Sequence, residues 1–343
     1  MPSTIDPCLT EPDILVLRNL FNDIDTTKPA AKPDTAETKP ELRSGGAEAD
    51  ALAGDQETLS RLRALNDPKS PDFQPTVFVS FDEKDLPAWL NEAAIKPYAR
   101  FAASITRHPR DVVFLTHIIL YLSVNVPSAI YLFYNFTYIH GVLHTVYSFW
   151  CAGSFTLLMH NHIHNNGVLA KDWYWLDVSF PYILEPLMGH TWDSYYYHHV
   201  KHHHVEGNGP DDLSSTIRYQ RDSAWSFAQY FGRFFFLIWL DLPIYFFRKG
   251  KANLAVRAFL SEAASYAFLY YMTFSVSARA SIFALWIPFM LMRLGLMVGN
   301  WGQHAFVDEV DPDSDFRSSI TLIDVPVSPP FLLPPSNLHN ILT

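Results

Sequence analysis

The sequence predicts an all-α integral membrane protein with four transmembrane helices in two hairpins, interfacial helices and a histidine-rich cap on the cytosolic side. The first observation is composition, because 49% of the residues are apolar and only 17% are charged. Soluble proteins carry about 25% charged residues, so this chain has too little charge to cover a large soluble surface. The second observation is a series of apolar runs, each long enough to cross a hydrocarbon layer of about 30 Å. The third is that histidine-rich clusters occur where such runs end.

Residues 1–85 are predicted to form an acidic, largely disordered cytosolic segment. They carry 17 Asp and Glu against 9 Lys and Arg and are rich in Pro, Ala, Ser and Thr. Such a composition buries too little apolar surface to offset the entropy of folding. Apolar positions from Ile14 to Phe21 nevertheless predict one short helix. Because nucleic acid binding requires clustered Lys and Arg, the acidic balance excludes nucleic acid as a partner.

Residues 86–326 are predicted to form the membrane domain. Its four spans are expected at about 112–134, 137–159, 254–273 and 281–299. A further apolar stretch, 227–247, contains Arg233, Asp241 and Pro243, and we expect it to lie in the membrane interface. Basic residues before the first span place the N-terminal segment in the cytosol. With four spans, both termini and every histidine cluster then face the cytosol.

Histidines cluster after the second span and again before the 227–247 stretch. His160 and His164, four residues apart, share one face of a continuing helix. The run 198–204 holds five histidines, and His199 and His203 share a helical face within it. Neutral imidazole suits iron, copper, zinc and nickel, and two cysteines are too few for a zinc-cysteine site or a disulfide framework. The pattern favours a metal centre over the alternative, a set of polar interfacial runs.

A third polar element lies at the end of the last predicted span, where Asn300 and His304 are again four residues apart. A lone histidine at a helix end is more often a hydrogen-bonded surface residue than a ligand. Its position on the same membrane face as the other clusters favours a role in the metal centre. Three other histidines lie in or near the first predicted hairpin and are expected to be hydrogen-bonded within the bundle: His117, His140 and His144.

In order along the chain, an HxxxH motif, an HxxHH motif and an Asn-x-x-x-His element resemble the membrane-bound fatty acid desaturases. The stretches 189–212 and 299–308 resemble fungal members closely, and the likeness covers about residues 86–326. The resemblance implies oxygen-dependent desaturation of a fatty acyl chain at a histidine-ligated di-iron centre. The metal-binding residues that it implies are His160, His164, His199, His202, His203, Asn300 and His304. It leaves four histidines without a secure counterpart, and these are expected to support the site or lie in loops: His162, His190, His198 and His204.

The resemblance also implies cofactors, partners and a location. The cofactors are two iron ions with dioxygen as co-substrate, and the substrate is a fatty acyl lipid or acyl-coenzyme A held at a lipid membrane. No His-Pro-Gly-Gly haem motif occurs in the sequence, so electrons are expected from an external donor of the cytochrome b5 type. The expected location is the endoplasmic reticulum membrane, with the metal site facing the cytosol. A fatty acyl or lipid hydroxylase of the same superfamily stays an open alternative.

The sequence departs from the family pattern after Pro326. The last HxxHH motif of the family is missing, and His339 is the only histidine in residues 327–343. These residues are interpreted as a non-family tail. One hypothesis makes them a translated, unspliced intron, because Val327-Ser328 can be encoded by a splice-donor sequence. A complete iron centre is then not expected from this chain alone. Two further alternatives for the function therefore stay open: a truncated, catalytically inactive relative, and a non-catalytic metal-binding membrane protein.

Overall fold

The computed structural model describes residues 9–27, 45–79 and 86–304. Within these ranges the chain forms helices and loops without a strand, and β pairing is limited to isolated bridge residues, including the antiparallel bridge between Thr106 and Leu169. The all-α prediction is therefore confirmed for the described part. The chain divides into two compact units with a boundary between Ala103 and Ser104. The predicted tail, 327–343, lies outside the described residues.

The first unit contains two helices in the segment that composition predicts to be largely disordered. They are α1 (Glu11–Thr27) and α2 (Gly45–Asn66). The amide of Asn19 on α1 donates a hydrogen bond of 2.7 Å to the carboxylate of Asp55 on α2. The short helix predicted from Ile14 to Phe21 is part of α1. Composition predicts less helix here than the structure contains, because it does not register polar contacts between two helices.

The next helix, α3 (Lys96–Ile105), follows the short turns Ala88–Leu90 and Asn91–Ile95. The second unit is then built from helices joined by short loops. In chain order these are α4 (Pro109–Tyr134), α5 (Tyr138–Trp150), α6 (Ala152–Asn165), α7 (Tyr174–Leu187), the π-helix Tyr196–His203, α8 (Ala224–Arg248), α9 (Ala252–Tyr271) and α10 (Ala278–Gln303).

Two π turns interrupt the long helices shortly before a proline. One covers Tyr121–Asn125 in α4 and ends two residues before Pro127, and the other covers Ile282–Trp286 in α10 and ends two residues before Pro288. Proline has no N–H to donate to the carbonyl four residues earlier, and its ring clashes with that carbonyl. A locally wider turn accommodates the missing bond, so both helices continue through the proline.

Three helices of the described residues are long and apolar enough to cross a membrane, namely α4, α8 and α10. The pair α5 and α6, bent by 49°, forms a fourth span if it is one crossing. These helices cover the predicted spans 112–134, 137–159 and 281–299. The remaining predicted span, 254–273, differs from the structure. Most of it lies in α9, which is not among the helices long and apolar enough to cross a membrane. α8 is among them, although it was expected to lie in the interface. The structure supports three to four spans, and the count of four in two hairpins stays a prediction.

The composition of α8 and α9 explains this difference. α9 is rich in Ala, Ser and Tyr and carries Arg257 and Glu262, which makes it less apolar than its length alone predicts. The charges that argue against α8 as a span are Arg233 and Asp241, and these form an ion pair with each other at 3.1 Å. Pairing reduces the cost of placing both charges in an apolar environment, so α8 is more compatible with a membrane than its sequence suggests.

Polar side chains in the first predicted hairpin bond to one another across helices. The hydroxyl of Ser128 on α4 lies 2.8 Å from Nε2 of His140 and 2.9 Å from Nδ1 of His144, both on α5. The hydroxyl of Ser128 therefore bridges the two imidazoles. His117 lies 3.1 Å from the hydroxyl of Tyr121 on its own helix. The expectation that these three histidines are hydrogen-bonded within the bundle is confirmed for one ring nitrogen of each.

One buried apolar cluster holds the π-helix against its neighbours, and a second packs long helices together. Tyr197 of the π-helix packs in one cluster with Phe246 of α8 and Ala258 of α9. A second cluster joins α4, α9 and α10 and includes Leu132 and Phe289. The π-helix therefore has a defined position relative to α8 and α9, and this position is what brings its histidines to the end of α6.

Candidate metal centre

His160 and His164 lie in the last turns of α6, on one face of the helix. Their ring centroids are 4.6 Å apart, as the four-residue spacing predicts. The helix ends directly afterwards, because Asn166 (φ 56°) and Gly167 (φ 112°) adopt left-handed conformations, and glycine does so at little cost. Both imidazoles therefore come from one regular element, and their relative position is set locally.

The second pair of imidazoles comes from the π-helix Tyr196–His203 and the residue that follows it. In a π-helix the backbone bonds join residues five apart, so residues with that spacing share a face. Nε2 of His199 accordingly lies 3.0 Å from Nε2 of His204. The ring of His203 stacks beside that of His199, with 5.6 Å between centroids. The wide turn thus presents three histidines on neighbouring positions.

The imidazoles of α6 and of the π-helix segment meet at one place. One ring nitrogen from each of His160, His164 and His199 lies within 4.8 Å of the others. The ring centroid of His204 is 4.7 Å from that of His164 and 4.5 Å from that of His199. A metal such as zinc lies about 2 Å from each imidazole nitrogen, so small side-chain rotations suffice to bring these nitrogens to one ion. The donor set fits a transition metal.

Burial keeps the central histidine of this group neutral. Loss of hydration, followed by repulsion from His160 and His204, lowers the pKa of His199 to about 2. A neutral imidazole retains the lone pair that binds a metal, and protons do not compete for it near neutral pH. His199 is therefore held in its metal-binding protonation state before any ion arrives.

Tyr195 contacts two histidines of the group. Its hydroxyl lies 3.3 Å from Nδ1 of His160, and its ring stacks on that of His199 with 5.0 Å between centroids. Burial raises the pKa of Tyr195 to about 12, so the hydroxyl keeps its proton. A partner of this kind orients a ligand ring and determines which of its two nitrogens is free to bind a metal.

His203 is oriented by a buried carboxylate. Its Nδ1 lies 2.6 Å from Oδ2 of Asp212, and the same oxygen accepts a hydrogen bond from the backbone N–H of Asn208 at 3.1 Å. The other oxygen, Oδ1, accepts from the hydroxyl of Ser214 at 2.7 Å. Burial raises the pKa of Asp212, but the bonds and charge of His203 and the bond from Ser214 outweigh it, and the net pKa lies well below the usual range. The neighbouring Asp211 instead forms an exposed ion pair with Lys249 at 2.9 Å.

His202, which the resemblance assigns as a ligand, lies elsewhere. Its Nε2 accepts a hydrogen bond of 3.1 Å from the backbone N–H of Leu213, and its ring packs 4.5 Å from that of Tyr245. It is completely buried and makes no ring contact with His160 or His164. The structure does not bring His202 into the four-histidine group, which consists of His160, His164, His199 and His204. The assignment of His202 as a ligand stays a prediction.

The third predicted element reaches the same region from α10. Nδ2 of Asn300 donates to the backbone carbonyl of Ser214 at 2.9 Å and to the hydroxyl of Tyr230 at 2.7 Å. His304 is buried, and its ring centroid lies 6.3 Å from that of His203. The three elements that the sequence separates therefore come together, with His304 beside His203 rather than in the four-histidine group.

The histidines without a predicted role occupy different environments. Nε2 of His162 lies 3.0 Å from the backbone carbonyl of Asp177 on α7, on the far side of α6 from the cluster. His190 is buried between Phe155 and Tyr195. Two histidines of the run 198–204 also had no predicted role. His204 joins the group around His199, and the ring centroid of His198 lies 5.4 Å from that of His202.

Reasoning from the sequence missed His204 and Tyr195. His204 was missed because α-helical spacing was applied to a segment that forms a π-helix, and Tyr195 was missed because it belongs to none of the histidine motifs. With five residues between backbone bonding partners, His204 rather than His203 lies closest to His199. The five-residue spacing of His199 and His204 is visible in the sequence, but it indicates a shared face only once the segment is known to form a π-helix.

The comparison with known families agrees with this site. The family model described as Fatty acid desaturase matches residues 134–341, a range that contains α6, the π-helix and α10. Searches of curated proteins and of solved structures gave no significant match. Because the family model matches more than half of the chain, this chain belongs to the fatty acid desaturase family.

Proposed function

We propose that this protein catalyses oxygen-dependent desaturation of a fatty acyl chain at a pair of iron ions held by histidines. The observation that carries the proposal is the convergence of nitrogens from His160, His164 and His199 within 4.8 Å of one another. This convergence occurs in a chain of the fatty acid desaturase family with several membrane-crossing helices. Imidazoles at the end of an apolar helix suit a redox metal close to a lipid substrate.

The two irons would be held by different parts of the histidine constellation. His160, His164, His199 and His204 supply the donors for one ion. His203 and His304, whose rings lie 6.3 Å apart, are the nearest candidates for the second, together with Asn300. Bound iron would supply the redox chemistry that activates dioxygen toward an unactivated C–H bond.

The remaining residues of the site orient and protect this donor set. Asp212 accepts from His203 and thereby leaves the other ring nitrogen of that histidine available. Tyr195 restricts the ring of His160 through its hydroxyl and that of His199 through stacking. Partial burial of His199 reduces its contact with water, which keeps this imidazole neutral.

The proposal extends to substrate, partner and location. The substrate is a fatty acyl lipid or acyl-coenzyme A whose chain lies in the membrane. Two electrons per turnover come from a separate donor of the cytochrome b5 type. The protein is placed in the endoplasmic reticulum membrane with the histidine group on the cytosolic side, where such a donor can approach it.

Expression in a heterologous eukaryotic host, followed by mass spectrometry of the total fatty acids, tests the proposal. We expect new unsaturated acyl chains with the wild-type chain, and their loss with His164→Ala. His162→Gln serves as the matched control, because this histidine lies on the same helix and faces Asp177. New hydroxylated chains would identify a hydroxylase of the same superfamily instead. No new product combined with no iron in the purified protein would reject the proposal.

A further inference from the structure

The loop between α7 and the π-helix is fastened to α9 and α10 at several points. Gly189 has φ +87°, and a Cβ at this position would lie only 2.2 Å from the backbone oxygen of Pro288. Its backbone therefore lies directly against α10. Further along the loop, the N–H of Trp192 donates to the hydroxyl of Ser265 on α9 at 2.9 Å, and the hydroxyl of Ser261 donates to the carbonyl of Trp192.

A buried ion pair lies at the centre of these contacts. The guanidinium of Arg293 on α10 lies 3.0 Å from the carboxylate of Glu262 on α9, and both side chains are about 95% buried. The hydroxyl of Thr191 in the loop donates to the same carboxylate at 2.8 Å. The guanidinium also lies over the ring of Phe289, 4.4 Å from its centroid. One pair of charges therefore joins two helices and the loop.

Stability alone does not account for an ion pair in this position. Removing two charges from water is costly, and apolar residues of similar volume often stabilise a core equally well or better. The pair differs from an apolar contact in its direction, because Glu262 accepts from Thr191 and from Arg293 in one fixed arrangement. A directional contact sets the position of the loop as well as its burial.

The position of the loop sets the position of the histidines. Thr191 precedes Tyr195 by four residues, and Tyr195 contacts both His160 and His199. A shift of the loop therefore moves Tyr195 and the start of the π-helix relative to α6. His199 would move with them, since it lies one turn further along the same segment.

We propose that Glu262 and Arg293 are positioning residues that, through Thr191, hold the start of the π-helix so that its histidines face those of α6. The metal-binding consequence of this inference rests on the proposed function. The anchoring of the loop does not, because it is a property of the chain without any ion.

The test replaces the ion pair as a unit, so that no unpaired charge is left buried. The double variant Glu262→Leu/Arg293→Met is compared with the double variant Arg233→Met/Asp241→Leu. The second variant removes a different ion pair, the one within α8. Both full-length proteins are purified in detergent, and amide hydrogen exchange is followed by mass spectrometry on peptides covering residues 189–204. We expect exchange in these peptides to become roughly tenfold faster in the first variant and to stay at the wild-type rate in the second.

Metal binding is measured on the same samples with Co²⁺ as the probe, through its visible absorption. We expect the affinity for Co²⁺ to fall roughly 10–100-fold in the first variant, as for loss of a group that orients ligands, and a changed absorption spectrum. Unchanged exchange at 189–204, or equal changes in both variants, overturns the inference. If exchange is faster in the first variant but the wild-type protein binds no Co²⁺, the anchoring is supported and the proposed metal centre is rejected.

A single substitution covers the case in which the double variant does not fold. Thr191→Val removes the hydroxyl that links the loop to Glu262 and leaves the ion pair with Arg293 in place. We expect faster exchange at 189–204 and weaker Co²⁺ binding with little change in expression level. Wild-type exchange in this variant overturns the inference.

Discussion

Replacing Asp212 by Asn is predicted to weaken metal binding through His203. The carboxylate of Asp212 is completely buried and accepts from Nδ1 of His203 at 2.6 Å, from the N–H of Ser214 at 2.8 Å and from the N–H of Asn208 at 3.1 Å. Asparagine offers one acceptor oxygen and an NH₂ group, so at least one of these donors loses its acceptor. The ring of His203 also loses the negative charge that fixes its protonated nitrogen.

The magnitude follows from these contacts. Loss of a carboxylate that orients a metal-binding histidine lowers metal affinity roughly 10–100-fold, which corresponds to about 1.4–2.8 kcal/mol. A buried donor without an acceptor costs folding a further 1–3 kcal/mol or so, on the order of one desolvated amide. We therefore expect Asp212→Asn to reduce both the affinity for metal and the free energy of unfolding.

Asp211→Asn is the matched control, because it makes the same change at the adjacent residue. Asp211 is exposed and pairs with Lys249 at 2.9 Å, and such a surface pair contributes at most about 1 kcal/mol. Titration of the detergent-purified proteins with Co²⁺ in competition with a chelator gives the affinities, and thermal unfolding followed by circular dichroism gives the stabilities. Wild-type affinity in Asp212→Asn, or the same loss in both variants, would refute the reasoning.

Three further predictions concern residues on different elements. His204→Ala should lower Co²⁺ affinity at least tenfold, since its ring contacts two of the clustered imidazoles; an unchanged affinity would exclude it as a ligand. Gly189→Ala should lower the melting temperature, because its φ of +87° is strained for alanine and a Cβ would collide with the backbone oxygen of Pro288. Gly295→Ala is the control and should leave the melting temperature unchanged, because the space around Gly295 is open. Ser128→Ala should reduce the free energy of unfolding by about 0.6–2 kcal/mol and leave Co²⁺ binding unchanged; weaker Co²⁺ binding would contradict a purely structural role.

The sequence predicts those parts of the site that depend on contacts within one helix. His160 and His164 are neighbours in the structure because α6 is regular to its end, and a four-residue spacing places their rings together in any α-helix. The all-α class follows in the same way from long apolar runs. The three candidate spans and the bent pair confirm membrane-crossing segments without fixing their number.

Two features of the structure depend on how the backbone is wound or on what lies beside a side chain, and residue spacing does not predict them. His202 carries the pattern of a ligand, yet its ring packs on Tyr245 and accepts from Leu213, since the π-helix turns it away from α6. The interfacial assignment of α8, which stays a prediction, treated Arg233 and Asp241 as separate charges, whereas the structure pairs them. Neither outcome follows from spacing alone.

By itself the sequence determined the residue types of the site, its three ordered elements and the membrane character of the chain, because composition and helical periodicity are local properties. Tertiary structure alone decided that His199 and His204 meet His160 and His164, that Asp212 orients His203, and that a buried ion pair holds the loop before the π-helix. Those contacts join residues far apart in the chain, and their energies exist only once α6, the π-helix, α9 and α10 have packed together.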